Sequence, residues 1–176
     1  MLMDVFEAIK LRRSVRAFTR ENISDEQIEK ILEAARWAPS AGNLQPWEFI
    51  VIRRVDVKRE IARAALNQTF IEEAPVVIVV CANEVRSGSV YGSRGANLYC
   101  IQDTAAAIEN MLLAACALGL GACWVGAFYE EEVKRILRIP RGIRPVAIIP
   151  IGYSAEKPSP PHRRPLKEIV HYETFK

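Results

Sequence analysis

The chain is poor in the residues that build metal and thiol sites. Among its 176 residues there are two histidines and four cysteines. The cysteines lie 19, 16 and 7 positions apart, which is the spacing of neither a metal knuckle nor a redox pair: Cys81, Cys100, Cys116 and Cys123. The sequence therefore predicts no metal site and reduced cysteines. A catalytic cysteine–histidine pair is an alternative for which no activating neighbour is visible.

Other absences exclude further classes of protein. The most apolar stretch, residues 104–120, contains Glu109 and Asn110, so no membrane span is expected. Residues 1–4 lack the basic and apolar regions of an export signal, which favours a cytoplasmic protein. A net charge of only +3, with both signs mixed along the chain, does not indicate nucleic-acid binding. The glycine fingerprint of a dinucleotide-binding βαβ unit is also missing.

The composition, 50% hydrophobic and 26% charged, is that of a single globular domain over residues 1–176. Beyond Gly152 the chain turns abruptly to prolines and arginines, which predicts an extended C-terminal arm over residues 154–176. Periodicity predicts helices over 4–11, from a Ser24–Gln27 capping box to Pro39, and over 56–66, 102–118 and 130–137; strands are predicted over 48–54, 76–81, 122–125 and 146–153.

Two polar segments stand out against this background. The first is Arg12-Arg13-Ser14-Val15-Arg16, where three guanidiniums and a hydroxyl match the oxygens of a dianion such as phosphate. A solvated basic turn is the plain alternative. A helix-turn-helix over residues 4–37 is disfavoured, because the connection is long and the second helix exposes Glu26, Glu29 and Glu33. The second segment, residues 39–47, is too polar for a core element and too specific for a generic loop.

Four motifs in order along the chain resemble those of the nitroreductase family, specifically its small FMN-dependent branch: RRSVRAF, APSAGNLQPWEF, GLGACWVGAF and PPHRRPLKEIV. The resemblance implies an α+β fold in which helices flank a mixed, largely antiparallel sheet. It also implies an intertwined homodimer with two FMN sites at the interface and the C-terminal arm packed on the partner subunit. The long apolar helix after residue 102 independently suggests dimerisation, since it has more surface to bury than one chain covers.

The resemblance also assigns roles to individual residues. It places Arg12, Arg13, Ser14 and Arg16 at the FMN phosphate, with Arg164 and, less surely, Arg163 returning from the arm. Pro39, Ser40 and Asn43 would reach the flavin ring from the partner, although Ala41 lacks a hydroxyl that other members carry. Asn67 would lie near the pyrimidine edge of the flavin. Trp124, Val125 and Gly126 would lie against the ring, with an amide donated to N5.

The implied activity is transfer of hydride from NADH or NADPH to a small acceptor such as a nitroaromatic or a quinone, in ping-pong order. The flavin would carry the chemistry, so no catalytic side chain is expected. The alternatives are an FMN-binding or sensing module without turnover, and flavin destruction, dehalogenation or azoline oxidation. The glycine-rich segment 83–99 is interpreted as a mobile connection and as a lid over the flavin, in which Tyr91 and Arg94 contact substrates; a plain surface loop is the alternative.

Overall fold

The sequence of the central strand explains the layering of the molecule. In this computed structural model, which describes residues 3–175, strand β2 spans Val76–Asn83 and is buried up to its last residue. Val76, Ile78 and Val80 enter one hydrophobic core, and the residues between them enter a second core on the other face. A run of apolar, mostly β-branched residues suits a strand covered on both faces.

Four strands form one sheet in the order β1-β2-β4-β3, and all neighbouring strands are antiparallel. In the part of the chain that the structure describes, one parallel contact occurs, an isolated bridge between Ser14 and Ala122. The predicted α+β fold with a largely antiparallel sheet is confirmed. The strands are β1 Trp47–Ile52, β2, β3 Gly121–Ala122 and β4 Ile143–Gly152.

Helices cover both faces of this sheet. The first core lies beneath α2 and α6 and includes Ile31 and Met111. The second lies beneath α3, α4 and α7 and includes Ile61 and Val133. Within residues 3–175, none of the helices combines the length and the apolar character needed to traverse a bilayer. The helices are α1 Val5–Leu11, α2 Asp25–Arg36, α3 Val55–Ala64, α4 Phe70–Glu73, α5 Glu84–Arg94, α6 Cys100–Ala117 and α7 Glu130–Leu137.

Local signals set most of these boundaries. The predicted capping box is present: Ser24 Oγ accepts the N–H of Gln27 at 3.2 Å, and Gln27 Oε1 accepts the N–H of Ser24 at 3.1 Å. The helix predicted over 56–66 spans Val55–Ala64, with Arg54 as its N-cap, and the Asp56 carboxylate pairs with the Arg54 guanidinium.

Two predictions need correction. The strand predicted over 122–125 is shorter and earlier, since β3 ends at Ala122 and Val125 only bridges Ile148. The segment 83–99, interpreted as a mobile connection, is helical: α5 runs into a π-helical turn over Gly95–Tyr99. Asn83 starts α5 by accepting the N–H of Arg86 at 2.9 Å, and Gly92 (φ 57°) kinks it.

The C-terminal segment lies on the surface. From residue 154 to 175 every residue is exposed except Pro158, and the one regular element is a 3₁₀ turn over Leu166–Glu168. The ends of the predicted 1–176 domain, residues 1, 2 and 176, lie outside the described residues. Packing of the arm on a partner subunit stays a prediction.

Candidate functional site

The basic segment follows α1 and runs along the short strand β3. Val15 donates its N–H to the carbonyl oxygen of Ala122 at 3.0 Å. Its side chain is buried against Gly121, where an added Cβ would come within 2.8 Å of it. Because neighbouring side chains of an extended segment point to opposite sides, burial of Val15 leaves Ser14 and Arg16 exposed.

Two guanidiniums of this segment contact other groups of the chain, backbone carbonyls in one case and a carboxylate in the other. Arg13 Nη1 donates to the carbonyl oxygens of Lys10 at 2.6 Å and Arg12 at 2.8 Å. Arg12 Nε lies 3.4 Å from Glu109 Oε1 on α6, an ion pair without hydrogen-bond geometry. The Nε atoms of both arginines are buried and have no hydrogen-bond partner among residues 3–175. A buried donor without an acceptor costs about 1–3 kcal/mol, so these atoms are suited to an acceptor that a ligand supplies.

These arginines open onto a cavity of about 390 Å³, here called the arginine cavity. The C-terminal arm closes it from the other side and contributes a fourth guanidinium, that of Arg163. Arg164, which the resemblance favoured over Arg163, does not line it; its Nη2 donates to the carbonyl oxygen of Glu168 at 2.9 Å. Which of the two arm arginines contacts a phosphate stays a prediction. The lining residues are Arg12, Arg13, Ser14, Arg16, Pro158, Ser159, Pro161 and Arg163.

The cysteines near this cavity are not thiolates. Burial raises the pKa of the Cys123 thiol, although the charge of Arg16 and a hydrogen bond with Ser14 oppose the shift. Burial likewise raises the pKa of Cys81 to about 12. Protonated thiols are poor nucleophiles and poor metal ligands at neutral pH. Among residues 3–175, no group of three His, Cys, Asp or Glu side chains is placed to hold a metal ion.

The residues that follow β3 form a second part of the site. Val125 is buried and exchanges two 3.0 Å backbone hydrogen bonds with Ile148 on β4. Trp124, one residue earlier, is 39% exposed. Gly126 is exposed, its N–H has no hydrogen-bond partner in the described chain, and a Cβ built there meets no atom within 4 Å. The segment therefore presents an indole and a free backbone donor to solvent.

Asn67 lies in the turn that packs beside this segment. Its backbone is left-handed (φ 59°) and its side chain is exposed. The neighbouring Gln68 ties the two segments together, since its Nε2 donates to Ala65 O at 2.8 Å and to Ala127 O at 3.1 Å. The Gln68 bridge links the turn of Asn67 to Ala127, the residue after Gly126. The position of Asn67 at the pyrimidine edge of the flavin stays a prediction.

The polar loop 39–47 is ordered by its own side chains and by α6. Ser40 Oγ accepts the N–H of Gln45 at 3.0 Å. Asp103, on the first turn of α6, accepts the N–H of Ala41 at 3.1 Å through Oδ1. Asn43 adopts a left-handed conformation (φ 53°) and is exposed. Pro39 is also exposed and makes no hydrogen bond in the described chain, so the loop offers its polar atoms outward.

One chain does not bring this loop to the arginine cavity. The loop contacts α6 at Asp103, whereas Arg12 and Arg13 share a smaller cavity with Cys116 and Gly119 at the other end of the helix. Along α6, however, Asp103 at the loop and Glu109 at Arg12 are only six residues apart, about 9 Å at 1.5 Å per residue. None of residues 39–47 lines the arginine cavity. The basic segment, Asn67 and residues 124–126 lie on connected elements, and the polar loop lies apart from them.

The residues predicted as a lid lie against the polar loop. The hydroxyl of Tyr91 contacts Gly42, whose added Cβ would fall 2.5 Å from it. Tyr91 also packs edge-on against Tyr99 at 5.3 Å between ring centroids. Arg94 stacks over the Tyr99 ring at 5.3 Å and donates to its hydroxyl at 3.0 Å. A role of these residues as a lid stays a prediction.

Sequence reasoning missed three residues that shape the site: Asp103, Gln68 and Glu156. The position of Asp103, a lone acid at the start of an apolar helix, could have indicated a structural role. Nothing in the sequence around Glu156 indicated its contact, because the backbone that it contacts lies 140 residues away along the chain.

Comparison with known proteins agrees with this architecture. The model described as "Nitroreductase family" matches residues 9–72 and 62–153. A Thermus thermophilus protein named NADH dehydrogenase is 35% identical over 196 residues, covering 96% of each chain. A Bacillus subtilis protein named FMN reductase, NAD(P)H, is 28% identical over 98% of this chain and 74% of its own.

A solved structure shows the same likeness in three dimensions. The NADPH:FMN oxidoreductase of Vibrio harveyi complexed with NAD⁺ superposes with a TM-score of 0.90 at 26% identity, covering 98% of this chain and 78% of that one. The family predicted from four sequence motifs is thereby confirmed: this chain belongs to the nitroreductase family.

Proposed function

We propose that this chain is an FMN-dependent oxidoreductase that transfers hydride from NADH or NADPH to a small acceptor such as a nitroaromatic or a quinone. The arginine cavity carries the proposal, because it gathers four arginines, and the buried Nε of Arg13 has no acceptor among residues 3–175. The basic segment also bridges Ala122 of β3, which leads into the exposed Trp124–Gly126 segment. Relatives named FMN reductase and NADPH:FMN oxidoreductase support it.

The residues present fit FMN. A phosphate carries a charge of about −1.5 to −2 at neutral pH, which guanidiniums bind two oxygens at a time. The Arg13 Nε donor, which lacks a partner among residues 3–175, would gain an acceptor there. The free N–H of Gly126 would donate to the flavin ring, and Trp124 offers an aromatic edge beside it. Asn67 would add a polar side chain near this segment, to which Gln68 links its turn.

Bound FMN supplies the capacity to accept hydride from a nicotinamide and to pass it to an acceptor. The chain itself would bind and orient the flavin and leave one face of the flavin ring open to substrates. Guanidiniums fix the phosphate end, and a preorganised backbone donor stabilises negative charge on the ring without reorganising. We assign no acid–base residue of the chain to the reaction.

We further propose a homodimer in which Pro39, Ser40 and Asn43 of one chain complete the site of the other. The absence of residues 39–47 from the lining of the arginine cavity supports a contribution in trans. Exposed apolar side chains on α1 and the arm offer surface for such an interface: Val5, Phe6, Ile9, Leu11, Leu166, Ile169, Val170, Tyr172 and Phe175. Tyr91, through Gly42, would then border the shared site together with Arg94, as a lid residue does.

The four free cysteines are typical of a reducing compartment, so we place this activity in the cytoplasm.

The first test uses the spectrum of the purified protein. We expect a yellow protein whose flavin absorbance bleaches with NADH or NADPH under anaerobic conditions and returns when a quinone or nitroaromatic is added. A yellow protein that neither nicotinamide bleaches would instead be a binding or sensing module. A protein that takes up no FMN would contradict the proposal.

The second test removes two phosphate contacts. Arg12→Ala together with Arg16→Ala should lower FMN affinity by about a hundredfold or more, since charge-assisted hydrogen bonds contribute about 1.5–3 kcal/mol each. Arg20→Ala with Arg141→Ala removes the same charge from exposed positions whose side chains have no partner within residues 3–175, and this variant should bind FMN normally. Equal affinity in the two double variants would contradict the phosphate assignment.

A further inference from the structure

Glu156 makes an unusual contact with the basic segment. Its Oε1 accepts the backbone N–H of Arg16 at 2.5 Å and that of Ala17 at 3.1 Å. Two consecutive amides thus share one carboxylate oxygen at the first exposed turn of the C-terminal arm. A charged acceptor makes such hydrogen bonds stronger than neutral ones.

The turn around Glu156 is itself anchored. Ala155 donates its N–H to Ala17 O at 2.9 Å, and Thr19 donates to Tyr153 O at 2.9 Å. Ser154 Oγ donates to Glu156 O at 2.5 Å, which closes the turn. The entry to the arm and the exit from the basic segment therefore form one hydrogen-bonded unit.

The rest of the arm has no hydrogen bond of its own to the described body of the protein in its next nine residues, so its position depends on this unit. Residues 157–165 of the described chain make no hydrogen bond to residues outside the arm, and prolines hold much of this stretch extended. Yet Pro158, Ser159, Pro161 and Arg163 form one wall of the arginine cavity. Glu156 is the last side chain of the arm with a hydrogen bond to the body before that wall begins.

In the described chain, the Glu156 carboxylate accepts hydrogen bonds from backbone amides and not from side chains. Although Glu156 lies beside the basic segment, it forms no ion pair with a guanidinium in residues 3–175. Four guanidiniums, with Glu109 and Glu156 as the nearby carboxylates, leave a formal charge of +2 around the cavity. That charge suits a phosphate dianion.

We propose that Glu156 is a positioning residue that fastens the C-terminal arm to the basic segment, so that Arg163 completes the anion site. The inference rests on the proposed function for the identity of the anion. Glu156 acts through backbone amides and touches neither the phosphate nor the ring.

The test compares Glu156→Ala with Glu156→Gln. The amide oxygen of glutamine still accepts both N–H groups, whereas alanine accepts neither. We expect Glu156→Ala to weaken FMN binding about tenfold, as Arg163→Ala does, while Glu156→Gln stays near wild type. Riboflavin, which lacks the phosphate, should bind all four proteins alike. Glu21→Ala is the control: it removes a nearby carboxylate that has no partner within residues 3–175, and it should bind FMN normally.

Two measurements on the protein without flavin test the attachment alone. In Glu156→Ala, the amides of Arg16 and Ala17 should exchange with deuterium faster, and trypsin should cleave sooner after Arg163; Glu156→Gln should behave as wild type in both. Unchanged exchange and cleavage in Glu156→Ala would overturn the proposal, whether or not FMN binds. Equal losses of FMN and riboflavin affinity would also overturn it, because they would indicate general damage rather than a misplaced anion site.

Discussion

At the scale of single residues, the site contains a buried acid that neither the phosphate nor the ring explains. Asp103 is 7% exposed, and its Oδ1 holds Ala41 while its Oδ2 is buried without a partner among residues 3–175. Burial raises the pKa of Asp103, and the hydrogen bond from Ala41 only partly opposes that shift. The polar loop is thus held by a carboxylate whose charge is poorly accommodated.

This arrangement predicts a pH dependence of stability. Because the folded-state pKa of Asp103 is raised, the folded chain holds its proton more tightly, and stability falls as the pH rises from the ordinary aspartate value of about 4 through that raised pKa. Asp103→Asn keeps an oxygen acceptor for Ala41 and cannot ionise. The free energy of unfolding of wild type minus that of Asp103→Asn should therefore decline as the pH rises through this window and level off above it.

Urea unfolding at a series of pH values measures this difference directly, and the subtraction cancels the other carboxylates. If the difference in unfolding free energy did not change with pH, the pKa of Asp103 would not be raised in the folded protein.

At the scale of elements, the position of the basic segment depends on its contact with β3. Gly121 allows that contact, because a Cβ there would come within 2.9 Å of three side-chain atoms of Val15. Gly126, five residues later, has open space at the same position and no left-handed backbone. Alanine at position 121 would therefore clash with Val15, whereas alanine at position 126 would meet no atom and serves as the control.

Gly121→Ala should lower the free energy of unfolding by about 1–3 kcal/mol, since overpacking forces Val15 and the segment after it to move. FMN affinity should fall as well, because Ser14 and Arg16 move with Val15. Gly126→Ala should change the stability of the flavin-free protein by less than about 0.5 kcal/mol. Chemical denaturation of both variants without flavin is the measurement. Equal stabilities would mean that the segment accommodates the methyl group by moving away from β3 at no cost.

At the scale of the whole molecule, the exposed apolar surface is large for an isolated chain. Phe6 is 70% exposed, Tyr172 80% and Phe175 88%. Exposed apolar side chains that cluster on one element, such as Val5, Phe6 and Ile9 on α1, mark interaction sites in globular proteins. Together with the absence of the polar loop from the lining of the arginine cavity, this exposed surface predicts that each complete site draws on two chains.

Subunit mixing tests that prediction. Arg12→Ala and Asn43→Ala should each weaken FMN binding and activity in their own homodimers. In a mixed dimer one site carries both substitutions and the other carries neither, so activity should reappear after the two proteins exchange subunits. Mixing two preparations of Arg12→Ala is the control and should recover nothing. Absence of recovery despite exchange verified by native mass spectrometry would mean that each site is built from a single chain.

The sequence by itself determined the features that depend on neighbours along the chain. The Ser24–Gln27 capping box, the buried run of β2 and the bounds of α7 follow from spacing and side-chain type. The basic segment was identifiable too, because three guanidiniums and a hydroxyl within five residues carry their chemistry with them. Helix α5 was missed because its glycines suggested a loop, whereas the Asn83 cap and packing against the polar loop stabilise a helix there.

Only the tertiary structure decided which distant residues meet. The contact of Glu156 with Arg16 spans 140 positions, and that of Asp103 with Ala41 spans 62. The choice of Arg163 over Arg164 at the arginine cavity likewise depends on where the arm is fastened. No local pattern encodes such pairs, because they arise from the paths of strands and helices that are set by burial of the two cores. The sequence thus specified the chemistry of the site, and the fold selected the partners that hold it in place.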